Sequence, residues 1–294
     1  MTSRGMLVIW NPGAGGGSDD DLDERRDEIR TALARQLVGA ELFESDSEDG
    51  SRQRIAEAID QGVTTIVAAG GDGTVRSVAF QLLGSKVALG ILPLGTAMNV
   101  ANSLGIPLEL DGAAEVLAAG SVRAIDVGEV RGTPFLEIAS IGLGAEVLAG
   151  ATHVSEGRLH VAFDLLRTAV RHRRTRVRLQ LDGREVRARA LSIAVANGRF
   201  TGRAVELAPN ASLDDGRFDV LVFEGFGGIG LAWHLARVLL GRKHDDRIRH
   251  YRAAAVRVST HRPLPVRVDS RDLGSTPVSL VTRVSGLLVV APEP

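Results

Sequence analysis

The chain contains no cysteine. That excludes a disulfide framework, thiolate zinc sites and a cysteine nucleophile, and it leaves the redox compartment open. Aromatic residues are scarce, with one tyrosine and two tryptophans in 294 residues. Basic residues therefore have few stacking platforms beside them, which argues against a nucleic-acid partner. Long apolar runs are missing as well. The opening MTSRGMLVIWNPG carries one arginine and too few apolar residues before Pro12 for a signal peptide or anchor. The most apolar stretch, Gly227 to Gly241, falls short of the ~18 residues a spanning helix needs and holds His234 and Arg237. A cytoplasmic location is the expectation.

What is present suits a two-domain globular protein. Hydrophobic residues make up 44% and charged residues 24%, enough for a real core. The net charge of −1 hides a division. Residues 1–124 hold 10 basic against 18 acidic side chains, and residues 125–294 hold 25 against 18. Opposite signs in the two halves predict two domains in different surroundings. The densest basic segment, Arg167 to Arg189, includes Arg171, Arg173, Arg174, Arg176, Arg178, Arg184 and Arg187. It reads either as a solvated helix end and strand pair or as a face drawn to anionic lipid head groups, at ~1 kcal/mol per basic residue.

The first half alternates strand and helix patterns. Met6–Trp10 is a short apolar run that ends in a glycine loop. A helix is expected from Asp19 to Leu37, a weak strand over 40–43, and a helix over 52–61. A β-branched strand, Thr64–Ala69, aims at the turn Gly70-Gly71-Asp72-Gly73-Thr74. Helix 75–83, strand 87–92 and helix 98–104 follow. This rhythm predicts a parallel sheet covered on both faces, with ligands at the carboxyl edge of its strands. From about Val122 the pattern turns to strands, over 124–127, 135–140, 177–181, 186–196, 219–223, 253–259, 264–269 and 278–281, with helical stretches between 144 and 174. Asp182-Gly183 between two strand runs is the strongest hairpin signal.

Three glycine-bearing loops carry the chemistry. Asn11-Pro12-Gly13-Ala14-Gly15 can close backbone N–H groups around an anion. It lacks the third glycine of a dinucleotide fingerprint, since position 18 is serine, and no lysine precedes Lys86 for a Walker A loop. Gly70 to Thr74 is stronger. Three glycines around one acid, at the end of a strand and the start of a helix, let phosphates approach and place Asp72 to position Mg²⁺, water or a hydroxyl. The plain alternative is a tight turn with Asp72 as a helix cap. In Gly90 to Asn99, Thr96 and Asn99 either reach a nucleotide or cap the helix they precede.

In order and spacing these three loops resemble the catalytic domain of the diacylglycerol-kinase family, in its bacterial soluble lipid-kinase branch. Sphingosine and ceramide kinases are close relatives of that family, and NAD kinases more distant ones. The likeness continues through Asp126, Phe135 to Gly144, Asn197-Gly198 and Ala208 to Asp219, and so spans nearly the whole chain.

The resemblance implies an α/β nucleotide domain over 1–124, onto which residues 280–294 fold back, and a β-rich, sandwich-like lipid domain over 125–279. It implies transfer of the ATP γ-phosphate to a lipid hydroxyl such as that of diacylglycerol, within phospholipid metabolism. ATP would lie on Asn11 to Gly15, Gly70 to Ser77 and Thr96. Asp72 and Asp126 would organise the catalytic Mg²⁺. A second, structural Mg²⁺ would take the carboxylate of Asp215 and the carbonyls of Ser212 and Arg217, a hard-cation donor set. The partner expected is a lipid at a membrane surface, met peripherally through the basic C-terminal domain; a homodimer is compatible.

The chain also departs from the family pattern. Gly16, Arg76-Ser77 and Met98-Asn99 stand where relatives usually have a basic residue, Asn-Glu and Asn-Asp. Arg271 stands where they have the glutamate taken as general base. A guanidinium does not deprotonate at useful pH, which leaves Asp269 or Asp272 as substitutes. Two rival expectations follow: an NAD-kinase-like enzyme, and a homologue that binds nucleotide or lipid without turnover.

Overall fold

A computed structural model describes residues 5–12, 19–36, 40–119, 121–145, 174–202, 204–225, 230, 247–269 and 271–293. Its contacts divide the chain into two compact units, one of residues 1–125 with 285–294 and one of residues 126–284.

The first unit runs β1 (Met6–Trp10), α1 (Asp19–Gln36), β2 (Ala40–Glu44), α2 (Glu48–Asp60), β3 (Thr65–Gly70), α3 (Asp72–Gln81), β4 (Ala88–Pro93), α4 (Asn99–Leu104) and α5 (Leu110–Ala119). The strands lie parallel in the order β2-β1-β3-β4. β1, β3 and β4 are buried on both faces and read as near-continuous apolar runs, whereas the edge strand β2, AELFE, is half-exposed. From β1 the chain passes to β2 on one side and then to β3 on the other, which makes a topological switch point at β1/β3. Helix α1 turns Ile29 and Leu33, one turn apart, into the core.

Two helices begin earlier than the apolar pattern suggests. Ser47 caps α2 by accepting the Gly50 N–H at 3.1 Å, with Glu48 and Asp49 in the first turn, so the helix starts four residues before Arg52. Helix α3 begins at Asp72, inside the glycine turn, rather than at Val75. Helix α5 has no counterpart among the expected elements. It buries Ala113, Ala114 and Leu117, and Leu117 sits where a Cβ on Gly90 would come within 2.5 Å of it.

The second unit is β-rich. Its strands are β5 (Val122–Val130), β6 (Thr133–Phe135), β7 (Ile138–Gly142), β8 (Thr175–Leu181), β9 (Arg184–Ala190) and β10 (Ser192–Ala196). They continue as β11 (Phe200–Thr201), β12 (Val205–Glu206), β13 (Phe218–Phe223), β14 (Ile248–Ala253), β15 (Ala255–Thr260), β16 (Pro265–Val268), β17 (Arg271–Ser275) and β18 (Val278–Val290). One antiparallel layer has the order β18-β15-β8-β9 and the other β14-β13-β10-β7-β16-β17. Val177, Leu179, Val256 and Val258 of the first layer pack with Ile193, Val195, Val220 and Val266 of the second, the core of a β-sandwich. Phe135 and Phe218 stack within it at 5.6 Å between ring centroids.

Several boundaries differ from the sequence expectation for identifiable reasons. The strand expected over 186–196 is two, β9 and β10, divided at Leu191, one in each layer. The strand expected over 135–140 breaks at Leu136-Glu137, whose amides turn to a distant carboxylate described below. Strand β18 continues to Val290, and its last residues join the first unit, with Val289 beside Leu89 of β4. The helical stretch expected over 144–174 lies almost wholly outside the described residues. The Asp182-Gly183 hairpin forms between β8 and β9, both residues at positive φ (48° and 86°).

Candidate active site

The parallel register brings the carboxyl ends of β1, β3 and β4 level. Trp10 pairs with Ala69, and Gly70 with Pro93. Asn11 and Pro12, Gly70 to Thr74, and Leu94 to Met98 therefore leave the sheet along one edge, beside the switch point. Gly13, Ala14 and Gly15 lie outside the described residues.

Contact requires glycine at two positions in these turns, Gly70 and Gly95, whereas Gly71 and Gly73 would accept a Cβ. A Cβ on Gly70 would lie 2.4 Å from the Thr74 hydroxyl, which folds back over it. A Cβ on Gly95 would lie 2.7 Å from the Cα of Gly71. The β3–α3 and β4–α4 turns thus touch glycine to glycine.

Asp72 joins them. It opens α3, yet its carboxylate faces the other turn, where Oδ1 accepts the Asn99 N–H at 2.7 Å. Helix α4 needs that help. Its N-cap, Met98, has φ 50° and no capping side chain of its own. Burial pushes the Asp72 carboxyl above its ordinary value, while the amides of Asn99, Val100 and Met98 and the charge of Arg76 pull the other way. The N-cap of α3 is Gly71, which brings no side-chain acceptor, so the amides of its first turn are left for an anion. Thr96 is exposed beside it.

In the second unit Asp126 is buried on β5. Its Oδ2 accepts the Gly216 N–H at 2.6 Å, and its own N–H donates to the Leu213 carbonyl. Asn197, also buried, donates from Nδ2 to the carbonyls of Asp126 (3.0 Å) and Leu136 (3.1 Å). Asn197 thus ties the Asp126 backbone to that of Leu136, a role its Asn-Gly motif alone did not reveal.

The expected structural-metal trio lies on the Ser212 to Arg217 loop. Asp215 Oδ1 accepts the Arg217 N–H at 2.9 Å, and Oδ2 is ion-paired with Arg252. Burial pushes the Asp215 carboxyl up, Arg252 and the Arg217 amide pull it down, and Asp219 and Asp126 add to the rise. Asp219, fully buried on β13, is bonded to His250 Nε2. An acid inside the apolar run FDVLVF was the sequence signal for that pair. A carboxylate with further acids close enough to raise it is the type of donor a hard cation takes. Arg252 supplies the positive charge in this structure, so a metal on Asp215 requires that ion pair to open. No group of three His, Cys, Asp or Glu side chains among the described residues is arranged to hold a metal by itself.

Asp269 is a clamp. It stands at φ 48° in the tight turn from β16 to β17, and its carboxylate accepts the N–H groups of Leu136 (3.3 Å), Glu137 (3.2 Å) and Ile138 (3.1 Å). That carboxylate is committed to holding the backbone of 136–138. Arg271 is exposed on β17, paired with Val268. Asp272 accepts the Gly274 N–H at 2.8 Å. Glu137, on the strand break that Asp269 holds, is buried.

Comparison with known proteins matches both units. Residues 5–130 match the model of the diacylglycerol kinase catalytic domain. Residues 138–291 match that of the YegS C-terminal NAD kinase beta sandwich-like domain. A probable lipid kinase YegS-like of Pseudomonas syringae pv. tomato is 32% identical over 99% of this chain and 95% of its own length. One from Pseudomonas aeruginosa is 38% identical over 67% of each chain. The crystal structure of a putative diacylglycerol kinase from Bacillus anthracis superposes with a TM-score of 0.80 over 99% of this chain and 98% of that one, at 24% identity.

Proposed function

The chain belongs to the family of YegS-like lipid kinases built on a diacylglycerol kinase catalytic domain, and we propose that it transfers the γ-phosphoryl group of ATP to a lipid hydroxyl such as that of diacylglycerol. The observation that carries this reading is the Asp72 clamp. One carboxylate ties two glycine turns together at the switch point of a parallel sheet, beside uncapped helix amides. That cradle fits a polyphosphate, and at Gly70 and Gly95 the contacts leave no room for a larger residue.

Phosphoryl transfer asks the protein mainly to position and to neutralise charge. The amides at the start of α3 and the Gly71/Gly95 backbone would bind phosphate oxygens. Bound Mg²⁺ would neutralise the developing charge. Asp72, already accepting amides, suits orienting metal-bound water better than direct ligation. Asp126, its backbone pinned by Asn197, is the second candidate for that role. The acceptor hydroxyl must lose a proton. With Arg271 unable to take it, Glu137, the buried acid on the β6–β7 break that Asp269 clamps, is the candidate acceptor.

A second reading has its own support. The same engagement of Asp269 and the same arginine at 271 suit a homologue that binds nucleotide or lipid without turnover. Incubation of the purified protein with labelled ATP, Mg²⁺, a panel of lipids and NAD, with Asp72→Ala as control, separates the readings. Label in a lipid that disappears in the variant is the expected result. Label in NAD alone, or none anywhere, overturns the kinase proposal.

A further inference from the structure

The two layers of the sandwich are covered unequally. In the β14-β13-β10-β7-β16-β17 layer, β10 is buried at every residue, because Ala194 and Ala196 face a second cluster with Leu143, Leu221 and Phe223. In the other layer β8 alternates strictly, with Val177, Leu179 and Leu181 inside and Arg176, Arg178 and Gln180 exposed. The outward face of β8, β9 and β15 meets solvent.

That face is built against its own stability. The β8–β9 register sets Arg176 opposite Arg189 and Arg178 opposite Arg187. Like charges placed directly across a strand pair repel, and two consecutive pairs do so here. Glu185 relieves one pair, bonded to Arg187 at 2.6 Å and lying 3.7 Å from Arg178. Among the described residues no carboxylate answers Arg176 or Arg189. The next strand adds Ser259 beside Arg178, and the His261 N–H donates to the Arg176 carbonyl. A groove of about 780 Å³ runs over these arginines. A second, of about 400 Å³, shares Arg189, Glu224 and Arg249 with it. Among the described residues, seven arginines line the two grooves against one glutamate.

We propose that this arginine ladder on the outer face of β8, β9 and β15 is the surface by which the protein docks onto an anionic lipid bilayer. Strands about 4.8 Å apart, with alternate side chains on one face, offer guanidinium groups as a grid to headgroup phosphates. Charge selects the occupant, and what the face lacks narrows it further. None of the exposed large apolar residues, Leu108, Val122, Val281 and Val284, lies on these strands, so an apolar protein–protein centre is missing. No aromatic residue stands among its outward side chains to stack a base. No described helix is long and apolar enough to cross a membrane. The choice of a bilayer over another polyanion rests on the lipid-kinase reading; the repelling arginines do not.

Sedimentation of the full chain with phosphatidylcholine vesicles, with and without phosphatidylglycerol, tests the proposal. The protein should pellet with the anionic vesicles alone and be released as salt shortens the screening length from ~10 Å to ~3 Å. The double variant R176Q/R189Q should bind them about 25-fold more weakly, at about fivefold per arginine. Its melting temperature should hold or rise, since a repelling pair is gone, which separates lost binding from lost folding. Phosphorylation of a short-chain, detergent-dispersed acceptor should be unchanged in the variant. Equal pelleting of variant and wild type, equal pelleting with neutral vesicles, or retention on a polynucleotide without vesicle binding overturns the surface. Label in no lipid, with vesicle binding and its loss in the variant intact, overturns the kinase reading and leaves the surface standing.

Discussion

Asp72 and Asp269 do the same mechanical work in the two units. Each sits at the end of a strand and turns its carboxylate onto the backbone amides of a distant segment, Asp72 onto 98–100 and Asp269 onto 136–138. Their neighbours differ. Asp72 stands among Gly70, Gly71 and Gly73, against Gly95 and at the opening of a helix of ten residues. Asp269 stands in a hairpin with Val268 before it and an exposed arginine after it. An acid clamping amides is therefore a fastening device in either place. What makes one of them a phosphate site is the space that glycine leaves around it.

The largest effect expected is at Asp72. Asp72→Ala strands the α4 amides and removes the carboxylate, so lipid phosphorylation should fall about 100-fold or more, toward the upper range for losing a metal-orienting group. Asp72→Asn keeps an acceptor for Asn99 and should lose activity while holding its melting temperature. If Asp72→Asn retains wild-type turnover, the two aspartates are alike after all and the glycine argument fails. Glu137→Gln should come next, with a loss of about 10²–10⁴ if Glu137 takes the acceptor proton. Unchanged kcat in that variant would return catalysis to positioning alone.

At Asp269 the expected effect is on folding. Asp269→Ala leaves three amides without their acceptor and should cost about 1–3 kcal/mol, read by denaturant unfolding. Asp269→Asn should recover most of it. A large loss of activity in Asp269→Asn, with stability intact, would instead give Asp269 a chemical role. Smaller again is the expectation at Arg252. Arg252→Gln frees Asp215 from its ion pair and should tighten Mg²⁺ binding, measured calorimetrically, about tenfold. No change, or weaker binding, argues that Asp215 holds no metal.

The same contrast explains what could be read from the amino acids. The Gly70 to Thr74 turn was legible because its requirement is local: a strand, three glycines and a helix within a few residues. The Asp182-Gly183 hairpin was legible for the same reason. The clamps were not, because the partners of Asp72 lie 27 residues away and those of Asp269 more than 130. Strands β14 and β17 were missed because edge strands are half-solvated, and IRHYRA and RDLGS show no apolar alternation. The basic segment around Arg176 was visible as charge, but only the strand register sets arginine against arginine.

The smallest effect, and the finest comparison, is with pH. Burial raises the Asp72 carboxyl above its ordinary value of 3.8. A raised folded-state pKa means that Asp72 contributes stability fully below that ordinary value and loses it as pH rises through the folded value. The ionised form needed to orient metal-bound water appears over the same interval. On the acid side, activity should therefore grow while this part of the stability declines. Asp72→Asn should flatten the stability change in that window, whereas Asp269→Asn should leave it in place. Melting temperatures of both variants across the acid range measure the difference. A stability curve for Asp72→Asn parallel to wild type would mean that burial does not raise the carboxyl, and the cradle would then be wetter than its glycine contacts imply.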